Sequence, residues 1–231
     1  MGEPAIVRSA FDSDIFGVEF FRVVTPDTAA VVEAVRNLTA ERFILDAKFP
    51  ADELDRAAAL DAAGFRKAST LVEFATAPYP RATRDPEQAS ELRLGDDDLD
   101  AHAAGFRFQR FMQDGRIPKA GSEALVRRWI ANSLSGRRET LAIGRNFCTF
   151  AVDEGRLTID LLSCLDTGQG MSGRLLACIH AEAASRGCGE VRVSTEAENA
   201  PAMRAYVRAG FRPVRSWAAM HLVQLAGGTR P

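Results

Sequence analysis

The sequence predicts an α/β protein whose mixed sheet is antiparallel at its start and parallel at its end. Three strand patterns follow one another directly, near Thr140–Ile143, Asn146–Val152 and Arg156–Leu165. After them the pattern changes to alternating strand and helix, and a glycine-rich turn at 167–173 marks the change. Adjacent strands favour antiparallel pairing, whereas strand–helix–strand units favour a parallel sheet.

A smaller α/β module precedes this region, over residues 1–78. Its elements are predicted as strands and helices in alternation: strand Glu19–Val23, helix 26–39, strand Arg42–Ala47, helix 51–63 and strand Ser69–Phe74. The stretch Thr76–Ser90 holds three prolines and no apolar periodicity, which is typical of a linker. We therefore predict a front module at 1–78, a linker at 79–90 and a larger domain at 91–231.

Further elements complete the larger domain. They are a strand at Glu91–Leu94, a helix from about Asp97, a helix at Ser122–Leu134 with one apolar face, a helix from the glycine turn to Arg186–Gly187, a strand at Glu190–Thr195 and a helix from Asn199 to Gly210. Asn199 is a favourable N-cap, and Pro201 suits the first helical turn. Glycine at the end of the last helix suits a left-handed cap.

A weak internal repeat links the two parts of the chain. Residues 60–74, LDAAGFRKASTLVEF, resemble residues 207–222, VRAGFRPVRSWAAMHL. Each would be a helix end, an Ala-Gly-Phe-Arg turn and a strand. Either the front module is a truncated copy of the later domain, or the two segments are ordinary helix–strand turns.

Composition excludes several classes of function. Net charge is −2 and the pI is near 6.0, so the chain lacks the basic character of a nucleic-acid binder. We expect no signal peptide, because the N-terminus has no basic region followed by an apolar run, and no membrane span. Neither the four cysteines nor the three histidines have metal-ligand spacing, so we expect no metal and a cytoplasmic protein with reduced thiols. Richness in Ala and Arg is typical of GC-rich bacterial genomes.

The glycine-rich turn is the principal candidate site. Its residues are Gly168, Gln169, Gly170, Met171, Ser172 and Gly173. Backbone N–H groups in such a turn, together with the N-terminus of the following helix, favour a diphosphate. The turn fits the dinucleotide pattern G-x-G-x-x-G, but it comes too late in the chain for that fold, and no Gly-Lys-Ser/Thr follows as a P-loop requires. The alternative is a glycine-rich corner that binds nothing.

One helix further on, Asn199, Met203 and Tyr206 are spaced to share a helical face. This stretch resembles the GNAT superfamily of N-acetyltransferases. The acetyl-CoA motif of that superfamily, Gln/Arg-x-x-Gly-x-Gly/Ala, overlays Thr167-x-x-Gly170-x-Ser172, with Thr167 and Ser172 departing from it. Its second motif, Asn, Ala, Tyr and Gly-Phe, overlays residues 199–211 and the match extends over about 91–222. The resemblance implies a GNAT-type mixed sheet flanked by helices, with acetyl-CoA as donor.

A narrower resemblance reaches the front module. Residues 11–17, FDSDIFG, are similar to the opening motif of bacterial dTDP-fucosamine acetyltransferases and their relatives. Residues 108–118, with Phe108-Gln109-Arg110-Phe111, Asp114 and Ile117-Pro118, resemble another of their motifs, and 129–133 also fit. Those enzymes acetylate an amino sugar linked to a nucleotide and have a small front domain. They often pair, so a homodimer is kept as an alternative to a monomer.

The resemblance implies direct transfer to a primary amine. A backbone N–H from Leu162 to Cys164 would polarise the thioester carbonyl, and Tyr206 would give a proton to the leaving thiolate. For the base that takes the proton from the amine, Asp160 on the strand before the glycine turn and a water chain to bulk solvent are both candidates; a solvated strand residue is the simpler explanation of Asp160.

The acceptor is predicted to contact Arg110, Phe111 and Asp114. Arg110 would pair with a phosphate, and the aromatic side chains of this region would stack on a base. The alternative is that these aromatic residues belong to the core. Acceptors of another kind, such as an amino acid, polyamine or aminoglycoside, and a non-catalytic acyl-CoA-binding module stay open.

Overall fold

The computed structural model describes residues 3–79, 92 and 94–225. The chain divides into two compact units that alternate along the sequence. Unit 1 comprises Met1–Leu71, Phe108–Leu125 and Ser216–Pro231, and unit 2 comprises Val72–Arg107 and Val126–Arg215. The first crossing lies between Leu71 and Val72, and the predicted division into 1–78, 79–90 and 91–231 stays a prediction. The later crossings bring segments into unit 1 that are distant in sequence.

Unit 1 combines strands of the sheet with helices. Its elements are β1 (Ile6–Arg8), α1 (Ala10–Phe16), β2 (Glu19–Val23), α2 (Thr28–Arg36), β3 (Phe43–Pro50), α3 (Leu54–Ala62), the start of β4 (Arg66–Thr76), α5 (Arg110–Gln113), the start of α6 (Lys119–Asn132) and most of β9 (Arg212–Gln224). The strand order is β1-β2-β3-β9-β4. Strand β2 is parallel to β3, and β9 runs antiparallel to β3, with Phe43 opposite Gln224. Buried aromatic and aliphatic residues of β3, α3 and β9 form its core.

Unit 2 contains the predicted run of adjacent strands. Its elements are the end of β4, α4 (Asp96–Gly105), the end of α6, a π-helical turn (Ser133–Arg137), β5 (Glu139–Ile143), β6 (Asn146–Asp153), β7 (Arg156–Ser163), α7 (Met171–Ser185), β8 (Glu190–Glu196), α8 (Ala200–Arg208) and the start of β9. The strand order is β4-β8-β7-β6-β5. Strands β5, β6 and β7 pair antiparallel, and β7 pairs parallel with β8 through α7. The predicted change from antiparallel to parallel pairing is confirmed.

Two glycine caps of the proposed repeat adopt the same structure. Gly64 ends α3 with φ 92°, and Gly210 ends α8 with φ 84°. The following residues, Phe65 and Phe211, are both buried, and the N–H of each donates at 3.0 Å to the carbonyl five residues earlier. This is the Schellman arrangement, in which a positive φ at glycine lets the chain reverse into the next strand.

Several predicted elements differ from the structure. Leu92 and Leu94 belong to no strand, so the strand predicted at Glu91–Leu94 is wrong for these two residues; they pack instead against the buried cluster of α4, α6 and β6. The rest of that strand, and the predicted linker apart from Tyr79, lie outside the described residues. Helices α1 and α5 and strand β1 were not predicted. No helix among the described residues is long and apolar enough to cross a membrane.

Candidate functional site

The glycine-rich turn lies between β7 and α7, as predicted. Gly168 and Gly170 have φ of 78° and 73°, in the left-handed region that glycine adopts without strain, and Gly170 is the N-cap of α7. Because the first N–H groups of a helix have no intrahelical acceptor, those of Met171, Ser172 and Gly173 are directed away from the helix at its positive end. The local geometry is therefore suited to an anion.

Next to this turn, the pairing of β7 with β8 stops before either strand ends. The last parallel partners are Ile159 and Val193, although β7 continues to Ser163 and β8 to Glu196. On the other side of β7 the register with β6 shifts, so that Asp160 has no opposite residue. Such a bulge turns the strand locally. The backbone groups of β7 beyond Ile159 are thus not paired with β8.

Tyr206 projects from α8 into the buried core of unit 2. Its ring centroid lies 5.7 Å from that of Phe74 and 5.9 Å from that of Phe211, and the residue is 6% exposed. Leu162, Cys164, Met171 and Met203 pack against the same core cluster. Burial first, and then the nearby Cys148, Glu196 and Cys164, raise the pKa of Tyr206 above its ordinary value, so its phenol stays protonated. The structure therefore groups the predicted acid with the predicted end of β7.

The thiols of Cys148 and Cys164, near the end of β7, are not activated as nucleophiles. Burial first, and then the charge of Asp166, raise the pKa of Cys164 to about 11. Burial also raises the pKa of Cys148 well above its ordinary value. Since the thiolate is the reactive form, both side chains are thiols at neutral pH.

Asn199 has a structural role that uses both polar atoms of its side chain. Its Oδ1 accepts from the N–H of Ala202 at 3.3 Å, which caps α8, and its Nδ2 donates to Thr195 Oγ1 at 3.1 Å. Asn199 thereby joins the start of the helix that carries Tyr206 to the end of β8. Its predicted role in holding the cofactor stays a prediction, as does that of Gln169, which is exposed in the turn.

Asp160, the predicted base, forms an ion pair with Arg138. A second basic group near the end of β7 was missed by sequence reasoning. Nδ1 of His102, on α4, lies 2.7 Å from Ser163 Oγ, and its Nε2 lies 3.0 Å from the carbonyl oxygen of Arg145. A carbonyl only accepts, so Nε2 carries a proton; Nδ1 of the neutral ring then accepts from the serine hydroxyl. Nothing in sequence spacing links residues 61 positions apart.

Burial keeps His102 neutral. The residue is completely buried, and burial lowers the pKa of its imidazole, which the hydrogen bond to the Arg145 carbonyl offsets only in part. The result is a neutral imidazole whose Nδ1 accepts a hydrogen bond from the hydroxyl on the last residue of β7. This is the arrangement of a base that acts through a serine.

The three predicted acceptor residues lie together in unit 1. Arg110 forms two hydrogen bonds to the buried Asp46, at 2.8 and 3.2 Å. Asp114 accepts from Nδ1 of His221 at 2.9 Å and pairs with Arg116 at 2.7 Å. Burial acts to raise the pKa of both carboxyl groups, but the arginines and His221 outweigh it and hold both pKa values well below the ordinary range.

Phe111 is 1% exposed, and its ring stacks on His221 at 4.8 Å with an interplanar angle of 8°. It also contacts the rings of Phe16 and Phe20. Its ring is thus part of the core of unit 1, the alternative that the sequence left open for these aromatic residues. The structure shows a buried network of charges around it, and the acceptor roles of Arg110 and Asp114 stay predictions.

The fold is that of the GCN5-related N-acetyltransferases, although no family model and no curated protein matches the sequence. A GCN5-related N-acetyltransferase from Sphaerobacter thermophilus is 18% identical, with a TM-score of 0.60 over 98% of this chain and 79% of that chain. One from Kribbella flavida is 14% identical, with a TM-score of 0.54 over 96% and 88% of the two chains. A tandem GNAT protein from the clavulanic acid biosynthesis pathway is 13% identical, with a TM-score of 0.52 over 92% and 77%. The last agrees with the partial repeat predicted for the front module.

Proposed function

We propose that this chain is an acetyl-CoA-dependent N-acetyltransferase that moves the acetyl group directly to a primary amine. The observation that carries the proposal is the position of the turn at Gly168–Gly173: it opens α7 beside the end of β7, where pairing with β8 has stopped and where the Tyr206 cluster packs. The N–H groups of that turn fit a diphosphate. Acetyl-CoA, when bound, supplies an acetyl thioester that an amine can attack.

Residues of the chain would stabilise the charge on the carbonyl oxygen and protonate the leaving sulfur. A backbone N–H at Leu162–Cys164 would stabilise the negative charge that develops on the carbonyl oxygen. As the amine nitrogen bonds to the carbonyl carbon and the carbon–sulfur bond breaks, Tyr206 would donate its hydrogen bond or proton to the departing sulfur. The raised pKa of Cys164 supports direct transfer without an acyl-cysteine.

As acceptor we propose an amino sugar linked to a nucleotide, on the resemblance of residues 11–17 and 108–118. An amino acid, polyamine or aminoglycoside is the second candidate. A panel of such amines, with acetyl-CoA and a colorimetric measurement of free thiol, would distinguish them. Turnover with the sugar nucleotide at the highest kcat/KM supports the first candidate, and turnover confined to the other amines contradicts it.

The cofactor assignment has its own test. Isothermal calorimetry of the purified chain should show acetyl-CoA binding at micromolar to millimolar concentration. Binding without turnover across the amine panel would indicate the non-catalytic acyl-CoA module, which Thr167 in place of the usual Gln/Arg favours. No binding at millimolar acetyl-CoA contradicts the proposal.

For the base we propose His102 acting through Ser163, with Asp160 as the competing candidate. His102→Gln keeps an acceptor and a donor at the ring positions but removes the basic nitrogen, so kcat/KM should fall by about 100-fold. Because burial lowers the pKa of His102, the acid limb of the wild-type pH profile should lie below the ordinary histidine value of about 6.5, and should disappear in this variant.

Asp160→Asn is the matched control, since it removes a charge from β7 and leaves the His102–Ser163 hydrogen bond in place. Asp160→Asn should retain the wild-type kcat/KM and the acid limb of the pH profile. The reverse pattern, with loss in Asp160→Asn and an unchanged profile in His102→Gln, assigns the base to Asp160 and contradicts the role of His102.

A further inference from the structure

The loop that joins β7 to the glycine-rich turn at 168–173 has few backbone contacts. For residues 164–169 the structure describes one hydrogen bond between backbone groups, from the N–H of Thr167 to the carbonyl of Leu165 at 3.0 Å. That bond joins residues two positions apart, so it does not attach the loop to another element. Beyond Cys164, which packs against the core of unit 2, the position of the loop depends on side-chain contacts.

Asn146, at the start of β6, supplies such a contact. Its Oδ1 accepts from the backbone N–H of Asp166 at 3.1 Å, and its Nδ2 donates to Asp166 Oδ2 at 2.8 Å. A carboxylate only accepts, so the carboxamide has one orientation that makes both bonds. Because these bonds hold the backbone and the side chain of Asp166 together, they fix the residue two positions before Gly168.

The side chain of Asn146 is itself held by the β5–β6 hairpin. It is 1% exposed, and its Nδ2 donates a second hydrogen bond, to the carbonyl of Ile143 at 3.0 Å. Asn146 and Ile143 lie opposite each other in the pairing of β5 with β6, and the chain between them turns at Gly144, with φ 57°. The loop after β7 is therefore attached to the hydrogen-bonded end of a hairpin.

The charges around Asp166 indicate that Asn146 is its principal partner. The hydrogen bond from Asn146 is the largest cause that lowers the pKa of Asp166, ahead of burial, which acts to raise it, and of Arg145, which lowers it further. Arg145 pairs with Asp166 at 3.4 Å and with Asp98 at 3.2 Å, but its side chain is 56% exposed. Exposed ion pairs contribute little to stability, so the attachment of Asp166 depends mainly on Asn146.

We propose that Asn146 is a positioning residue for the acetyl donor, which holds the loop at Asp166 so that the N–H groups of the turn at 168–173 are directed at the diphosphate. The inference rests on the proposed function, and it adds a residue from outside both motifs of the resemblance. Asn146 would act through Asp166 and not by contact with the donor. A loop that is ordered before binding does not lose its conformational entropy when the donor binds.

Isothermal calorimetry of the full chain with acetyl-CoA tests the proposal without an acceptor. Asn146→Ala removes both bonds to Asp166 and adds no charge. Its affinity for acetyl-CoA should be about 10–100-fold weaker than that of the wild type, as expected if the backbone of one or two residues must be ordered on binding. Titration below the melting temperature of each variant separates this effect from a loss of stability.

An exchange of the two side chains tests whether Asn146 acts through Asp166. Asn146→Asp alone places two carboxylates together where the 2.8 Å hydrogen bond was, and should weaken acetyl-CoA at least as much as Asn146→Ala. The double variant Asn146→Asp/Asp166→Asn has the same net charge as the wild type and again pairs a carboxamide with a carboxylate. It should bind acetyl-CoA within about 5-fold of the wild type, the loss of one hydrogen bond to the Ile143 carbonyl.

Two further variants are controls. Arg145→Gln removes the exposed ion pair with Asp166 and keeps both bonds from Asn146, so it should cost no more than about 5-fold in affinity. Glu139→Gln breaks the ion pair with Arg186 at the other end of the same hairpin, and should leave the affinity for acetyl-CoA unchanged.

Wild-type affinity in folded Asn146→Ala, or a double variant that binds as weakly as Asn146→Asp, would overturn the inference and leave the acetyltransferase proposal intact. If the alanine variant does not fold, Asn146→Ser, whose side chain is too short to make both bonds, decides the point by the same measurement. If the wild type does not bind acetyl-CoA at all, both proposals are contradicted.

Discussion

Replacing Tyr206 with phenylalanine should lower kcat by about 10²–10⁴-fold, the usual contribution of a general acid. The affinity for acetyl-CoA should change little, because the ring and its packing against Phe74 and Phe211 are retained. The raised pKa of Tyr206 keeps it in the acid form throughout the neutral range. Its titration should therefore produce no loss of rate on the alkaline side of neutrality in the wild type. Steady-state kinetics over pH 6–9, with calorimetry of acetyl-CoA binding, measures both effects.

Tyr79→Phe is the matched control for this variant, since Tyr79 is the other tyrosine of the chain. It loses one hydroxyl, the one bonded to the Ala209 carbonyl, and should retain kcat. Thermal melting of Tyr206→Phe at the wild-type temperature excludes misfolding as a cause. Full turnover by Tyr206→Phe would remove the catalytic role of this residue, whatever donor the chain uses.

Replacing Arg110 with methionine should lower the free energy of unfolding by about 3–5 kcal/mol, the cost of leaving one member of a buried ion pair alone. Asp46 is 6% exposed, and Arg110 supplies two of its hydrogen bonds. The double variant Asp46→Leu/Arg110→Met removes the uncompensated charge and should recover most of the loss. Urea denaturation of the three proteins at pH 7 measures these differences.

The pH dependence of the loss gives a second measurement. In the wild type the pKa of Asp46 is below its unfolded value of about 3.9, so its contribution to stability is present above that value and is lost as pH falls through the folded pKa. Without Arg110, burial acts with less opposition and raises the folded pKa. Protonation of Asp46 at acid pH then removes the unpaired buried charge from the variant. Its loss in free energy of unfolding, relative to the wild type, should therefore be smaller at pH 5 than at pH 7. A deficit below 1 kcal/mol at pH 7 would contradict the structural role of the pair and leave acceptor binding as the explanation of Arg110.

Local chemistry was sufficient to predict elements with strong sequence signals. Strand β2 has the predicted limits Glu19–Val23, and the caps at Asn199, Gly64 and Gly210 form as expected. Helix α1 was missed because seven residues are too few to show an apolar period. It is held by Ser9, whose hydroxyl accepts from the N–H of Asp12 at 3.4 Å, and by the ion pair of Asp12 with Arg22 of β2.

The candidate site likewise has features that neighbouring residues specify and features that depend on the packing of distant segments. The turn at 168–173 and the Tyr206 helix carry their information in neighbouring residues, since glycine spacing and capping act over one or two turns of chain. The His102–Ser163 and Asn146–Asp166 hydrogen bonds join side chains that are distant in sequence. Their residue types are common, so only the packing of α4 on β7, and of the β5–β6 turn on the loop after β7, reveals them.

By itself the sequence determined the α/β class, the order of most elements and the glycine turn with its tyrosine, because these follow from periodicity and from backbone preferences of single residues. The tertiary structure decided which charges are buried together in unit 1, where β7 and β8 cease to pair, and which side chain holds the loop before the glycine-rich turn. Burial and pairing between distant segments depend on how the whole chain packs, and the pKa values of Tyr206, His102 and Asp46 depend on burial in turn.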